Sequence, residues 1–117
     1  MATYWAVLNA KFIRKVIEVI ESNLSNSKFS VEEFSDHFRM SRRNLYRKIK
    51  TVSGLSVNEF LKNIRLKKSV QLLQDAEMNV SEVAYAVGFS DPKYFSKCFK
   101  EQFGQSPSDY HAKVVEQ

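Results

Sequence analysis

Three glycines and two prolines punctuate a chain of 117 residues. So few turn formers disfavour the many tight turns of a β-sandwich or barrel, and leave helices as the expected elements. The single cysteine, Cys98, rules out an internal disulfide. The two histidines, His37 and His111, are far apart and write no zinc-ligand spacing with it. No apolar run approaches the ~20 residues that cross a bilayer. The cluster Tyr4-Trp5-Ala6-Val7-Leu8 lacks the basic start and the length of a signal peptide. A reducing, cytoplasmic setting without membrane contact is therefore expected. Neither a nucleophile, a metal cluster nor a Gly-rich phosphate loop can be assembled, so the reading predicts no enzyme activity and no cofactor.

What is present is apolar and basic. Hydrophobic residues make up 44% of the chain, enough to offset the entropy of ordering, and the length suits one compact unit. Eighteen Lys and Arg stand against thirteen Asp and Glu, a net charge of +5 that suits a polyanionic partner.

The chain also repeats itself. With a shift of 49, Val31, Glu33, Phe34, Ser35, Phe38, Met40 and Ser41 fall on Val80, Glu82, Val83, Ala84, Val87, Phe89 and Ser90. One residue is inserted after Ser90. With a shift of 50, Leu45, Arg47, Ile49, Lys50 and Gly54 then fall on Phe95, Lys97, Phe99, Lys100 and Gly104. Two copies are too few for a solenoid, and a duplicated supersecondary unit fits.

Each copy reads as a short helix, a tight turn and a second helix. Ser30-x-x-Glu33 and Asn79-x-x-Glu82 are capping boxes, Ser41 and Ser90 cap the second helices, and Gly54 and Gly104 end them. Gly88 supplies a left-handed residue in the second turn. A stripe from Phe12 to Leu24 predicts a helix over 10–24; Ser56-x-x-Glu59 starts one over 57–75, and Ser106-Pro107 a short last one. The fold class is thus all-α, with seven helices and two helix-turn-helix units joined by a long connecting helix. Cys98 and the nine phenylalanines read as core, and the histidines as ordinary surface side chains.

In a helix-turn-helix unit the second helix enters the major groove of DNA. At ~100° per residue, Leu45, Ile49 and Val52 point one way while Arg43, Tyr46, Arg47 and Lys50 gather opposite. The copy does the same, with Lys93, Ser96, Lys97 and Lys100 opposite Phe95, Cys98, Phe99 and Gln102. Between Arg39 and Lys68 the only acid is Glu59, against Arg39, Arg42, Arg43, Arg47, Lys48, Lys50, Lys62, Arg65, Lys67 and Lys68. That concentration is the pattern of phosphate binding. A connecting helix of about 19 residues would span ~28 Å, near the ~34 Å repeat of the major groove.

The stretch Ser41-x-x-x-Leu45-x-Arg47-x-Ile49-Lys50-x-x-x-Gly54-x-Ser56, then Ile64-Arg65-Leu66 with Leu72-Leu73, resembles the AraC/XylS-type regulator DNA-binding domain. So does Val83-Ala84-x-x-Val87-Gly88-Phe89-Ser90-Asp91-x-x-Tyr94-Phe95-x-Lys97-x-Phe99-Lys100-x-x-Phe103-Gly104-x-Ser106-Pro107-x-x-Tyr110. The resemblance covers roughly residues 11–113. It implies sequence-specific binding of double-stranded DNA to regulate transcription, mostly by activation, with RNA polymerase as a partner. It implies base contacts by Arg43, Tyr46, Arg47, Lys93, Ser96 and Lys97. Phosphate contacts are expected from Ser41, Arg42, Lys50, Lys62, Ser90 and Lys100. Arg39 departs from the pattern, standing where the first turn often has glycine.

The same resemblance reaches output domains of hybrid two-component regulators, which implies a sensor or receiver domain in a longer parent chain, with a small stand-alone activator as the alternative. Residues 1–9 then read as a linker remnant and 10–117 as the DNA-binding domain. Within it, 10–54 is the first helix-turn-helix unit, 56–76 the connecting helix, and 79–117 the second unit with the last helix. The competing reading is a basic helical module that holds an acidic protein partner, followed by an RNA-binding helical domain.

Overall fold

The computed structural model describes residues 4–27, 29 and 31–115. Among these the elements are seven α-helices and no strand: α1 Tyr4–Ser22, α2 Val31–Asp36, α3 Arg42–Ser53, α4 Val57–Leu72, α5 Val80–Ala86, α6 Pro92–Phe103 and α7 Pro107–Val115. Helix α1 begins at Tyr4 and so takes in residues 4–9, which the apolar stripe over 10–24 had set apart. Helix α4 ends at Leu72, three residues early, because Asp75 folds the chain back. Its carboxylate accepts from the Glu77 amide at 2.8 Å, an Asx turn that competes with further helix. At 1.5 Å per residue α4 is thus about 24 Å long.

Contacts cluster into two compact units where chain length alone suggested one. The first holds α1, α2, α3 and the start of α4 up to Ile64; the second holds residues 24–27, α4 from Arg65, and α5 to α7. The division follows the duplication.

In the first unit Val16 and Ile20 of α1, Phe34 of α2, and Leu45 and Ile49 of α3 are fully or almost fully buried. An aromatic chain runs through it, Phe34 meeting Phe38 edge-on at 5.4 Å and Phe38 meeting Phe12 at 5.7 Å. The second unit buries Val83, Ala84 and Val87 around α5, and Phe95, Cys98 and Phe99 of α6. Phe99 packs on Phe103 at 4.6 Å and on Tyr110 of α7 at 6.1 Å. Each fully buried phenylalanine contributes about 2–3 kcal/mol through removal of its apolar surface from water.

Local signals behave as expected where they are described. Asn79 and Glu82 form the reciprocal capping box, at 2.8 and 3.1 Å. Ser56 and Ser106 accept from the amides of Glu59 and Asp109. Gly54 and Gly104 share one conformation, φ 79 and 80 with ψ −1, and each donates its amide to a carbonyl four residues back at 2.8 Å. The box expected at Ser30 lies outside the described residues. One cap is corrected: Asp91, not Ser90, caps α6, accepting from the Lys93 amide at 3.0 Å. Pro92 is the reason. A residue before proline is driven out of the α region, so Asp91 stays extended at φ −127, ψ 109, and the helix starts at Pro92.

Candidate nucleic-acid interface

The two short turns set the recognition helices in place, and they are not equally tight. In the second, Gly88 at φ 95 lets its amide reach the Tyr85 carbonyl at 3.0 Å and the Phe89 amide reach the Ala84 carbonyl at 2.9 Å. Arg39 occupies the matching place in the first turn at φ 51, the one non-glycine residue with positive φ among those described. The corresponding bonds, Arg39 to Asp36 and Met40 to Ser35, stretch to 3.3 and 3.5 Å. A side chain in the left-handed region costs about 1–2 kcal/mol, and the looser bonds are its local expression.

The second turn is held from behind by Arg65. Its guanidinium is buried and donates from Nη1 to the carbonyls of Leu24 at 2.7 Å and Val87 at 2.8 Å, and from Nη2 to that of Asn26 at 3.4 Å. Burial pulls its pKa below the ordinary arginine value, but the charge is retained. Arg65 therefore leaves the set of cations offered to phosphate, to which its place in the basic window had assigned it. Charge and periodicity do not single out this role, because its partners lie 41, 39 and 22 residues away.

On α3 the expected base readers stand together. Arg43, Tyr46 and Arg47 are exposed on the face opposite buried Leu45 and Ile49. Ser41 caps the helix, its Oγ accepting from the Asn44 amide at 3.2 Å. The Arg42 guanidinium lies 5.9 Å from the Tyr46 ring centroid, a cation–π contact that joins an expected phosphate binder to an expected base reader. Lys50 is exposed but engaged, its Nζ donating to the Gly54 carbonyl at 3.0 Å. Lys62, on α4, is half-buried.

On α6, Lys93, Lys97 and Lys100 are exposed and Ser96 is half-buried. Ser90 is exposed beside Asp91. The Asp91 carboxylate sits at the helix N-terminus, where an anion would otherwise gain from the backbone amides. Tyr94 is also exposed on this helix. Its hydrogen bond with Cys98, more than the nearby Glu101 charge, raises the pKa of its hydroxyl above the ordinary value. Cys98 itself is buried, as its stripe required.

Lys48 belongs to the basic window but to neither the expected base readers nor the expected phosphate binders. In the structure its ammonium stands 4.2 Å from the Phe12 ring centroid, while Lys15 of α1 stands 5.4 Å from Phe38. Among the described residues no cluster of His, Cys, Asp or Glu is built for a metal ion, and no helix is long and apolar enough to cross a membrane.

A family model described as "Helix-turn-helix domain" matches residues 34–113. Histidine kinase P4 of Formosa agariphila is 40% identical over 110 residues, 94% of this chain and 8% of that protein. The C-terminal domain of AraT, a response regulator from Geobacillus stearothermophilus, is 32% identical with a TM-score of 0.76, covering 86% of this chain and 84% of that one. The DNA-binding domain of AdpA, solved in complex with a target DNA, is 28% identical with a TM-score of 0.79 over 88% and 92% of the two chains. The chain spans 8% of the length of histidine kinase P4, and 37% and 27% of the length of two other curated relatives that it matches. A duplicated helix-turn-helix with two exposed basic recognition faces, matched over most of its length by these proteins, makes this chain a member of the AraC-type helix-turn-helix family of DNA-binding transcription regulators.

Proposed function

We propose that this chain is the DNA-reading output module of a larger signalling regulator, with α3 and α6 each entering a major groove and one chain occupying two successive grooves. The observation that carries the reading is the duplicated register. In both copies the buried pair (Leu45 and Ile49, Phe95 and Phe99) lies opposite exposed cations at matching positions, Arg47 with Lys97 and Lys50 with Lys100. Folding requires the apolar pairs twice but has no use for the same basic face twice. A duplex supplies that use, because phosphates attract the cations and base edges accept from them.

Arg43, Tyr46 and Arg47, with Lys93, Ser96 and Lys97, read bases in this proposal. Ser41, Arg42, Lys50, Lys62, Ser90 and Lys100 hold phosphates. The proposal also takes in a sensor or receiver domain in a longer parent chain, which the kinship to a histidine kinase of which the chain covers 8% supports; a cytoplasmic site of action and activation through RNA polymerase complete it.

Footprinting on genomic DNA tests it. The expected result is protection of two adjacent major grooves on one side of the duplex at one chain per site, with log K falling against log salt at a slope of about −5 to −9. Protection of one groove per chain removes the two-groove arrangement; salt-independent association with an acidic protein, and none with duplex, replaces the reading with an interaction module.

A further inference from the structure

The flank of α3 that turns toward α1 carries a groove of about 390 Å³ that the proposed contacts leave unused apart from Arg47. Met40 and Val52 give it apolar surface. Asn9 of α1, with Asn44 and Thr51 of α3, adds two amides and a hydroxyl, and Arg47 and Lys48 add two positive charges. Among the described residues no carboxylate lines it. The groove is continuous with the base-reading face, since Arg47 belongs to both.

The duplication supplies an internal control. With the shift of 50, Asn44, Lys48 and Thr51 fall on Tyr94, Cys98 and Glu101. Cys98 is 4% exposed and Glu101 is an acid, so the same flank of α6 is closed by a core residue and carries the opposite charge. A helix-turn-helix unit therefore folds without a cation in this register. At position 48 the lysine is exposed and laid against the Phe12 ring at 4.2 Å. That contact restricts the ammonium to the side of α3 facing α1 while leaving its N–H donors available.

We propose that this flank seats the sugar–phosphate backbone of the strand bordering the groove read by α3. Lys48, Asn44 and Thr51 take the phosphate oxygens, Met40 and Val52 cover a deoxyribose, and Asn9 brings α1 into the interface. The anion is a backbone phosphodiester because the seat opens onto the base-reading face, where a strand edge must pass. The proposal rests on the DNA-reading function above, and it adds to the phosphate contacts of the first unit.

The test uses the full chain, a duplex selected by it from a random-sequence pool, and unselected random duplex, with fluorescence anisotropy over a range of KCl concentrations. Lys48→Gln is expected to weaken both duplexes by the same factor, about 3–10-fold near 0.15 M salt, and to lower the magnitude of the log K against log salt slope by about 0.9. Lys48→Arg restores both. Thr51→Glu, an exposed change that touches no ring contact, weakens both duplexes more steeply as salt is lowered. The seat is overturned if the wild type binds with a steep slope and Lys48→Gln and Thr51→Glu match it, or if Lys48→Gln lowers the melting temperature and leaves the slope unchanged. A wild type that binds neither duplex overturns the DNA-reading function, and the seat with it.

Discussion

The Arg65 guanidinium fills the space in which a side chain at Gly88 would stand: a Cβ built on that glycine overlaps Arg65 Nη1 and crowds the Leu24 carbonyl. Gly88 is thus required twice, by its φ of 95 and by the arginine behind it. Gly54 and Gly104 share the positive φ, but an added Cβ there meets nothing within 4 Å. Gly88→Ala should accordingly cost about 3 kcal/mol or more, from left-handed strain together with displacement of a buried charge from its carbonyls. Gly104→Ala should cost about 1–2 kcal/mol, from strain alone. Urea denaturation followed by circular dichroism compares them, and equal losses would contradict the part assigned to Arg65.

Replacing Arg65 by alanine leaves the carbonyls of Leu24, Val87 and Asn26 without their donor. A loss of about 3–5 kcal/mol is expected, as for other buried charged hydrogen-bond hubs. Lysine should recover little, because a single ammonium on a flexible stem does not reproduce the fork of Nη1 and Nη2. The same denaturation experiment measures both, and lysine at wild-type stability would show that the charge alone suffices.

The first turn should improve where the second cannot. Arg39→Gly relieves the left-handed strain at φ 51 at some entropic cost in the unfolded chain, for a net gain of about 0.5–1 kcal/mol. A denaturation midpoint at or below that of the wild type would show that the Arg39 side chain makes a compensating contribution.

The cap of α6 distinguishes two neighbours. Asp91→Ala removes the acceptor for the Lys93 amide and should cost about 1 kcal/mol, while Ser90→Ala should stay within about 0.5 kcal/mol. The ranking is reversed if Ser90 is the true cap. Asp91→Asn keeps the cap without the charge, and anisotropy with random duplex should show tighter binding as the repulsion of phosphate is removed.

The recognition helices should differ in sharpness. Arg43 and Arg47 offer planar forks to guanine, whereas Lys93 and Lys97 are point charges on the helix that carries Asp91 and Glu101. Arg47→Ala is expected to cost about 1–3 kcal/mol and to relax preference at one or two base positions, while Lys62→Ala weakens all sequences alike and Lys97→Ala falls between. Affinities for a selected site, its single-base variants and random duplex at one salt concentration decide; greater relaxation by Lys97→Ala inverts the order.

The elements legible in the sequence are those whose cause is local. The capping box at Asn79, the Ser41 cap, the left-handed glycines and the stripe Leu45–Ile49 all depend on residues within four positions of each other, and each was readable before any contact was known. Duplication strengthened them, since a weak periodicity seen twice in one register fixes which face is core and which is charged. The exposed basic faces of α3 and α6 follow from the same periodicity. The Asp91 cap is also local: proline bars the residue before it from the helix, so the serine of the repeat stands one position too early to cap α6.

Other features depended on chain segments meeting in space. Whether a cation in a basic window faces a phosphate or a carbonyl is a matter of burial, and Arg65, among ten similar residues, was claimed by carbonyls that only folding brings to it. The placement of Lys48 against Phe12 likewise needed α1 to pack beside α3. Composition and periodicity therefore determined that two basic helices would be displayed. Tertiary packing decided which cations remain on display, because desolvation obliges a buried charge to bind the nearest acceptors, and sequence distance carries no information about which those are.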